Sequence, residues 1–390
     1  MPRKIIHLDL DAFYCAVEEN NDPSLRGIAF AVGGRPEERG VVSSCSYAAR
    51  ASGVRSAMPM GRALALCPEL KIVPGKHHLY GEASKKVIAL LREVTPLVEQ
   101  ISVDEAFLDI SDLPEAGEVV GKRLQTQIKN ELELSSSIGI ATNKLVAKIA
   151  NDVGKKTGQP GISPFATTVV PAGREAEFLS PLPAGMLWGV GPKTAQKLAE
   201  MGIYTIGEIA NWPEKDLLQR FGEHGRDLSR HARGIDTRPI MTEREIKSIS
   251  QETTFRRDIS EDGQIEKTLL ALTQKVARRL RKAELGGKTV KLKIRWSDFT
   301  TLTRQKTLPT ISDNDTEIFD AALSLLRNLR PSGKPVRLIG VGVSGLGPPL
   351  RQLSLWDQNI EESRELQKVL DELQKRFGEN IIKRGSKIKD

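Results

Sequence analysis

Three acidic residues stand among apolar neighbours in two separate blocks of the chain. Asp9 interrupts an apolar run that begins at Ile5, and Asp104 and Glu105 directly follow Val103. A carboxylate in such surroundings is costly unless it is paired or bound to a metal. Converging carboxylates suit two hard divalent cations, which can activate a hydroxyl and hold a triphosphate for in-line displacement. The alternative is that these acids are ordinary solvated residues at strand ends.

The elements around these acids follow from the spacing of apolar residues. A two-residue period predicts a strand over residues 4–13, on which Asp9 and Asp11 share a face. Residues 97–110 predict two short strands around the second block, and a hairpin tip there would let Asp104 and Glu105 face one site. We interpret Asp11 as a supporting hydrogen-bond acceptor, and a fourth metal ligand is the alternative.

Two further sets of residues could bind phosphate. Ser44, Tyr47 and Arg50 are spaced three residues apart, which at the start of a helix places them close to one face. All three side chains can donate to phosphate oxygens. A helix is predicted to begin after its cap, Thr142, and to run to about residue 153. Lysines spaced along it could form a basic ridge, and the alternative is a solvated lysine face. The ridge would consist of Lys144, Lys148 and Lys155.

The remaining pattern predicts an α/β or α+β layered structure with several domains, because strands alternate with crossover helices. A stretch rich in Pro and Gly, residues 157–173, ends the first unit. An all-helical region, an aperiodic linker and a second unit of order strand, helix, strand, strand, helix, strand come next. These three segments cover residues 174–235, 236–247 and 248–345.

Composition narrows the class of protein. A chain of 390 residues with 28 % charged and 39 % hydrophobic residues is typical of a globular protein with two to four domains. It has no run of 18 apolar residues and no metal-like cysteine spacing, so we expect a cytoplasmic, bacterial-type monomer with no membrane contact. The net charge is +8, and residues 251–350 hold 18 Lys and Arg against 11 Asp and Glu. Such a basic segment favours a polyanionic partner.

Four blocks of the chain, in the same order and spacing, resemble the signature blocks of the Y-family DNA polymerases. The DNA polymerase IV branch is the most similar, and the resemblance covers about residues 3–345. The blocks are Asp-Leu-Asp-Ala-Phe-Tyr at 9–14, Ser-Tyr-Ala-Ala-Arg at 46–50, Ser-Val-Asp-Glu-Ala at 102–106, and the segment from Ser137 to Ala150.

The resemblance implies a right-hand polymerase architecture with a ferredoxin-like palm, fingers, a helical thumb with a helix-hairpin-helix, and an α/β little finger. It places the palm at 1–16 and 77–170, the fingers at 17–76, the thumb at 171–235, the linker at 236–247, the little finger at 248–347 and a tail at 348–390.

The resemblance also implies roles for individual residues. Two Mg²⁺ ions would be held by Asp9, Asp104, Glu105 and the Leu10 carbonyl, and the acids would be catalytic. Tyr14 would be the steric gate that rejects ribonucleotides. From sequence alone, the simpler interpretation is that Tyr14 is an aromatic residue of the core. The dNTP triphosphate would contact Ser44, Tyr47, Arg50 and Lys155, although Lys156 is a competing neighbour for the last position.

Two regions could hold primer-template DNA without reading its sequence. Residues 187–195 resemble the hairpin of a helix-hairpin-helix, in which Gly189 and Gly191 expose backbone N–H groups to a phosphate and Lys193 adds charge. A helix turn without a ligand is the alternative. The second region is one face of a predicted strand and consists of Lys291, Lys293 and Arg295.

The tail contains a short apolar string, Gln352-Leu353-Ser354-Leu355-Trp356, after a Gly-Pro-Pro turn. Exposed Leu and Trp side chains need a partner. The string resembles the peptide that binds the beta subunit of the bacterial sliding clamp. The alternative is that the tail folds back over its own surface.

Together these features imply an error-prone translesion DNA polymerase that adds dNTPs to a primer 3′-hydroxyl. The sequence shows no second cluster of acidic residues that would indicate a proofreading nuclease. Two other classes compete with this interpretation: a DNA-binding scaffold that kept the fold and lost activity, and another two-metal palm enzyme such as a nucleotide cyclase. The presence of all three acids argues against the first, and the hairpin, basic domain and tail argue against the second.

Overall fold

The computed structural model describes residues 2–157, 161–329, 331, 333–349, 369, 372–373 and 376–377. The chain divides into two compact units, Met1–Arg244 and Glu245–Asp390. No helix of these described parts is long and apolar enough to cross a membrane.

The first unit mixes strands and helices in its first 170 residues and is helical after that. Its elements are β1 Ile5–Leu10, α1 Phe13–Asn21, β2 Phe30–Gly33, β3 Val42–Cys45, α2 Tyr47–Ala51, α3 Met60–Leu66, β4 Lys71–Val73, α4 His77–Val94, β5 Val98–Gln100, β6 Glu105–Asp109, α5 Gly117–Leu132, β7 Ser136–Ala141, α6 Lys144–Lys156, β8 Thr167–Val169, α7 Glu175–Leu179, α8 Pro192–Ala199, α9 Ile206–Asn211, α10 Glu214–Phe221 and α11 Glu223–Ala232. Short 3₁₀ helices lie at Pro23–Leu25, Pro36–Glu38 and Ala184–Met186.

A five-stranded sheet of order β5-β6-β1-β7-β8 forms the centre of this unit, with β1 antiparallel to both neighbours. Both faces of β1 are covered. Ile6 and Leu8 join the apolar core built with α4 and α5, while Ile5 joins a second core with α6. The predicted two-residue alternation in this strand is therefore confirmed, and each face of the sheet has its own helical layer.

The predicted strand over residues 4–13 is too long, because β1 ends at Leu10. Ala12 adopts the left-handed conformation, with φ of 44°, and the chain turns into α1. Phe13 and Val17, one helical turn apart, are both buried in the core. The predicted cap of α6 is also wrong. Asn143, not Thr142, accepts the hydrogen bond from the backbone N–H of Val146, at 3.0 Å.

Residues 17–76, which are predicted to be the fingers, contain a separate small core. Strands β3, β2 and β4 form a three-stranded sheet in that order, and α2 and α3 flank it. Cys15, Cys45 and Cys67 are buried and free. This segment carries Tyr47 and Arg50 at the first turns after β3.

The all-helical prediction for residues 174–235 is confirmed by α7 to α11. The segment after α11 has no helix or strand up to β9, as predicted for a linker, but its first part packs on the sheet domain. The Asp236 carboxylate accepts from the backbone N–H of Leu145 at 3.1 Å. The buried Glu99 accepts from the backbone N–H of Met241 at 2.9 Å and pairs with Arg244 at 3.0 Å.

The second unit has the predicted order of elements. Its four-stranded antiparallel sheet runs β11-β10-β12-β9, and the two helices contribute to one apolar core with it. Alternate residues of β10 are buried, up to Trp296. The elements are β9 Ser248–Ile259, α12 Asp262–Lys282, β10 Gly286–Trp296, β11 Thr301–Ser312, α13 Asp315–Leu329 and β12 Val336–Gly347.

Candidate active site

Two of the three predicted catalytic acids meet at one end of the five-stranded sheet. Asp9 on β1 stands opposite Glu105 on β6 in the antiparallel register. Burial raises the pKa of Asp9 to about 7, and the Glu105 charge adds to the rise while Lys155 opposes it. Burial also disfavours ionised Glu105, but the hydrogen bond and charge of Lys148 outweigh it and lower its pKa.

Asp104 does not join this pair, so the predicted convergence of three carboxylates is not observed. Its carboxylate accepts a hydrogen bond from the Ser102 hydroxyl, whose oxygen also accepts the Glu105 backbone N–H at 3.0 Å. The described residues contain no group of three or more His, Cys, Asp or Glu side chains placed to hold a metal ion. Asp104 nevertheless lies at the same end of the sheet, where its backbone carbonyl accepts the N–H of Leu10 at 2.9 Å.

Asp11 supports the site from below, as interpreted from its spacing. Its buried carboxylate accepts hydrogen bonds from the hydroxyls of Ser135 and Ser137, each at 2.8 Å. Ser163 adds a third at 3.2 Å. This carboxylate is satisfied by neutral donors and fixes the turn that follows β1.

Helix α6 brings two ammonium groups onto the acids. Lys148 pairs with Glu105 at 2.8 Å, and Lys155 pairs with Asp9 and lies 3.7 Å from Asp11. The neighbouring Lys156 donates to the Met186 sulfur instead. Both pairs neutralise carboxylates that burial would otherwise disfavour as anions.

Lys144 does not belong to the basic ridge, contrary to the prediction. It is buried and pairs with Glu99 at 2.7 Å, and it also donates to the Pro239 carbonyl at 2.9 Å.

Asn151 and Gly139 explain why α6 lies so close to the sheet. Asn151 donates to the Ser137 carbonyl at 3.0 Å, and a Cβ at Gly139 would lie 2.0 Å from the Ala147 carbonyl oxygen.

A basic cleft of about 740 Å³ opens beside the acids, between α2, α6 and the 3₁₀ helix at Ala184–Met186. Among its charged lining residues, five are basic and one, Asp152, is acidic. The Arg50 guanidinium lies 4.7 Å from the centre of the Tyr47 ring, so the two form one donor surface. Sequence reasoning missed Arg55, whose only signal was its closeness to Arg50 along the chain. The basic residues are Arg50, Arg55, Lys148, Lys155 and Lys156.

Ser44 is separated from this donor surface in the structure. It lies on β3, whereas Tyr47 and Arg50 lie on α2, which Ser46 caps by accepting the N–H of Ala49 at 3.3 Å. The prediction that the three residues share one helical face is therefore wrong. The Ser44 side chain is buried next to the Cys15 thiol.

Tyr14 is the second residue of α1 and lies between the acidic end of the sheet and the aromatic residues of α4. Its ring is stacked on that of Tyr80, with centroids 4.2 Å apart and planes 14° apart. Burial raises its pKa, and so does the nearby charge of Asp104. The Tyr14 side chain is only partly buried.

The predicted hairpin of residues 187–195 leads into α8. Gly189 has a φ of 101°, which a residue with a Cβ rarely adopts, and Gly191 is the N-cap of the helix. Lys193 is exposed at the first turn of α8. Trp188, directly before Gly189, packs against Phe107, with ring centroids 5.7 Å apart.

The basic strand of the second unit is β10, and its alternation is as predicted. Val290, Leu292 and Ile294 are fully buried, while Lys291 on the opposite face is exposed. Two further cations are partly exposed on that face. They are Lys293, which pairs with Glu252 at 2.8 Å, and Arg295, which donates to the Thr301 hydroxyl at 2.7 Å. The predicted clamp-binding residues, Gln352, Leu353, Leu355 and Trp356, lie outside the described residues.

Family comparisons bear directly on this arrangement. The impB/mucB/samB family matches residues 8–152, its C-terminal domain matches residues 246–355, and the HHH motif of the IMS family matches residues 172–203. The last match contains the hairpin with Gly189 and Gly191, which confirms its type.

Similarity to individual proteins extends over almost the whole chain. DNA polymerase IV of Desulfatibacillum aliphaticivorans is 41 % identical over 393 residues, covering 99 % of this chain and 97 % of that protein. This chain belongs to the DNA polymerase IV family. DNA polymerase IV of Dehalococcoides mccartyi strain CBDB1 is 39 % identical and covers 98 % of this chain and 97 % of that protein. A solved Y-family DNA polymerase chimera shares the fold, with a TM-score of 0.76 and 23 % identity over 87 % of this chain and 98 % of that chain.

Membership of this family confirms three predictions from the sequence: the Y-family resemblance, the α+β multidomain polymerase fold, and the translesion DNA-directed DNA polymerase class. The roles of individual residues in the polymerase, and its domain boundaries, stay predictions. Sequence reasoning missed polar partners of the site such as Glu18 and Tyr80, each 1 % exposed. Neither has a local signal, because a buried Glu in an amphipathic helix looks like any surface residue.

Proposed function

We propose that this polymerase extends a primer by two-metal nucleotidyl transfer at the end of the sheet that carries Asp9, Asp104 and Glu105. The observation that supports it is the pairing of two partly buried carboxylates with two lysines at the mouth of a basic cleft. Such a site combines ligands for hard cations with donors for a triphosphate. The test is extension of a primed template with Mg²⁺ and dNTPs, and products that do not follow the template would contradict the proposal.

The donor set fits divalent cations, which members of the DNA polymerase IV family generally use. All its side-chain donors are carboxylate oxygens, and two already attract ammonium groups. We propose that Asp9, Asp104, Glu105 and the Leu10 carbonyl hold two Mg²⁺ ions. When bound, these ions supply Lewis-acid stabilisation of phosphoryl oxygens and a hydroxyl of lower pKa.

The chain's own residues would orient the incoming nucleotide. Tyr47 and Arg50 present a hydroxyl and a guanidinium to the cleft, and Lys155 can turn from Asp9 to a phosphate within the same cleft. Charge-assisted donors of this kind hold a triphosphate in line for attack. Ser44 is the weakest member of the proposed set, because its hydroxyl is buried against Cys15.

Primer-template DNA would be held by sequence-independent contacts to phosphates. In the thumb, the N–H groups after Gly189 and Gly191 and the exposed Lys193 form one candidate contact. In the little finger, the exposed face of β10 with Lys291, Lys293 and Arg295 forms another. The proposed domains keep the boundaries predicted from the sequence, with the palm at 1–16 and 77–170.

Salt dependence tests the little-finger contact. Replacing Lys291 by Ala is expected to weaken DNA binding and to reduce the slope of log K against log salt by about one, since one phosphate contact is lost. Fluorescence anisotropy over a range of salt concentrations measures that slope. Lys275→Ala is the matched control, because Lys275 is an exposed lysine on α12 in the same unit. Equal slopes for the two variants would contradict the assignment.

Residues 352–356 are proposed to bind the sliding clamp. A peptide of residues 350–358 should bind a bacterial clamp, and replacing Leu355 and Trp356 by Ala should weaken binding at least about tenfold, because large apolar anchors dominate such interfaces. Anisotropy of a labelled peptide measures this. Absence of binding by the unmodified peptide would instead favour a tail that folds over its own surface.

A further inference from the structure

We propose that Tyr80 and Glu18 determine sugar selection, because they brace the Tyr14 ring against displacement by a 2′-hydroxyl. The proposal rests on the steric-gate role proposed for Tyr14. Steric exclusion is only as strong as the free energy needed to move the excluding group. A tyrosine ring on one flexible side chain could rotate away at the cost of a strained rotamer alone. An effective gate therefore needs a second group behind it.

The Tyr80 ring supplies that support. It lies flat against Tyr14, with centroids 4.2 Å apart and planes 14° apart, and is itself 1 % exposed. His77 meets both rings edge-on, at 6.0 Å from Tyr14 and 5.8 Å from Tyr80. Stacked and edge-on pairs stabilise each other beyond the burial of their area. The Tyr14 ring thus has Tyr80 stacked on one face and His77 in edge-on contact.

Glu18 prevents the support from moving. The Tyr80 hydroxyl donates to the Glu18 carboxylate at 2.6 Å and accepts the Lys76 backbone N–H at 3.0 Å. The Lys76 ammonium lies 2.6 Å from the second carboxylate oxygen. Glu18 is 1 % exposed, and a buried carboxylate is retained only when its hydrogen bonds are satisfied.

These contacts form a closed circuit. Glu18 lies four residues after Tyr14 on α1, so both side chains leave the same face of the helix. From Tyr14 the circuit runs through the stack to Tyr80, through the hydroxyl to Glu18, and back along one helical turn. Displacing the gate ring therefore requires breaking the stack or the buried hydrogen bond as well.

The experiment measures the ratio of kcat/KM for a dNTP to that for the matching ribonucleotide during primer extension. Tyr80→Leu, which removes the flat ring and the hydroxyl, is expected to lower this ratio about tenfold. The conservative variants Tyr80→Phe and Glu18→Gln, which keep the size of each side chain, should lower it about two- to fivefold. Leu91→Ala is the control, because it removes a buried core residue of α4 outside the circuit and should leave the ratio unchanged.

The Tyr14→Ala background separates this inference from the gate itself. Once Tyr14 is Ala, adding Tyr80→Leu should change the ratio less than about twofold, since no ring remains to brace. If Tyr14→Ala destroys sugar selection while Tyr80→Leu and Glu18→Gln leave it intact, the bracing role is wrong and the gate stands. If Tyr14→Ala itself retains selection, the proposed gate is wrong. An equal loss from Leu91→Ala would show general damage to the palm and overturn the bracing role.

Discussion

Replacing Asp9, Asp104 or Glu105 by its amide is expected to lower the rate of primer extension by on the order of a thousandfold or more. The amide has nearly the same size as the carboxyl group but no charge, so it is a poor ligand for Mg²⁺. The loss should appear in kcat rather than in dNTP binding, since the proposed triphosphate contacts lie mainly on Tyr47 and Arg50. Single-turnover extension of a primed template measures it.

Two controls make this result specific. Asp112→Asn removes an exposed acid of the same domain and should leave extension unchanged. DNA binding by the three amide variants should also be retained, because the proposed DNA contacts lie in the thumb and little finger. Near-normal extension by the Asp9 or Glu105 variant would show that this pair is structural and that the chemistry lies elsewhere.

Replacing Tyr14 by Ala is expected to raise ribonucleotide incorporation relative to dNTP incorporation by about a hundredfold, or about 2.7 kcal/mol of lost discrimination. The change removes a ring that would otherwise overlap a 2′-hydroxyl, while the acids and the triphosphate contacts remain. Competing primer extension with a dNTP and the matching ribonucleotide gives the ratio directly.

Tyr14→Phe is the matched variant for this prediction. It removes only the hydroxyl and keeps the ring on Tyr80, so sugar discrimination should stay within about twofold of that of the wild type. A large loss in the Phe variant would indicate that the hydroxyl, rather than the bulk of the ring, selects the sugar. Unchanged discrimination in the Ala variant would return Tyr14 to the role of a core aromatic.

The element pattern of both units could be predicted because their strands and helices bury regular faces. In β10, Leu292 and Ile294 alternate with Lys291 and Lys293, and this period survives folding. The end of β1 could not be predicted in the same way. Ala12 adopts a left-handed backbone conformation that its residue type rarely takes, so the turn into α1 has no signal in composition.

The site was predicted less completely, because local spacing does not determine long-range partners. Lys144, Lys148 and Lys155 look alike in the sequence, yet Lys144 is taken by Glu99 on β5. Whether a lysine is neutralised depends on which acid the sheet places beneath it.

Local breaks in secondary structure also separate residues that a regular helix would bring together. The chain changes from strand to helix at Ser46, which divides Ser44 from Tyr47 and Arg50. Asp104 lies in the bend before β6, where the Ser102 hydroxyl holds its carboxylate apart from the Asp9 and Glu105 pair. Neither effect follows from residue spacing, since both depend on where an element begins.

Asp104 therefore decides the central claim most directly, because it is the one proposed metal ligand that stands outside the observed pair. The measurement is single-turnover extension of a primed template by wild type and Asp104→Asn, each with Mg²⁺ and each with EDTA. The three-carboxylate account predicts extension by the wild type with Mg²⁺ and essentially none in the other three reactions. Extension by Asp104→Asn at a rate comparable to that of the wild type would contradict it.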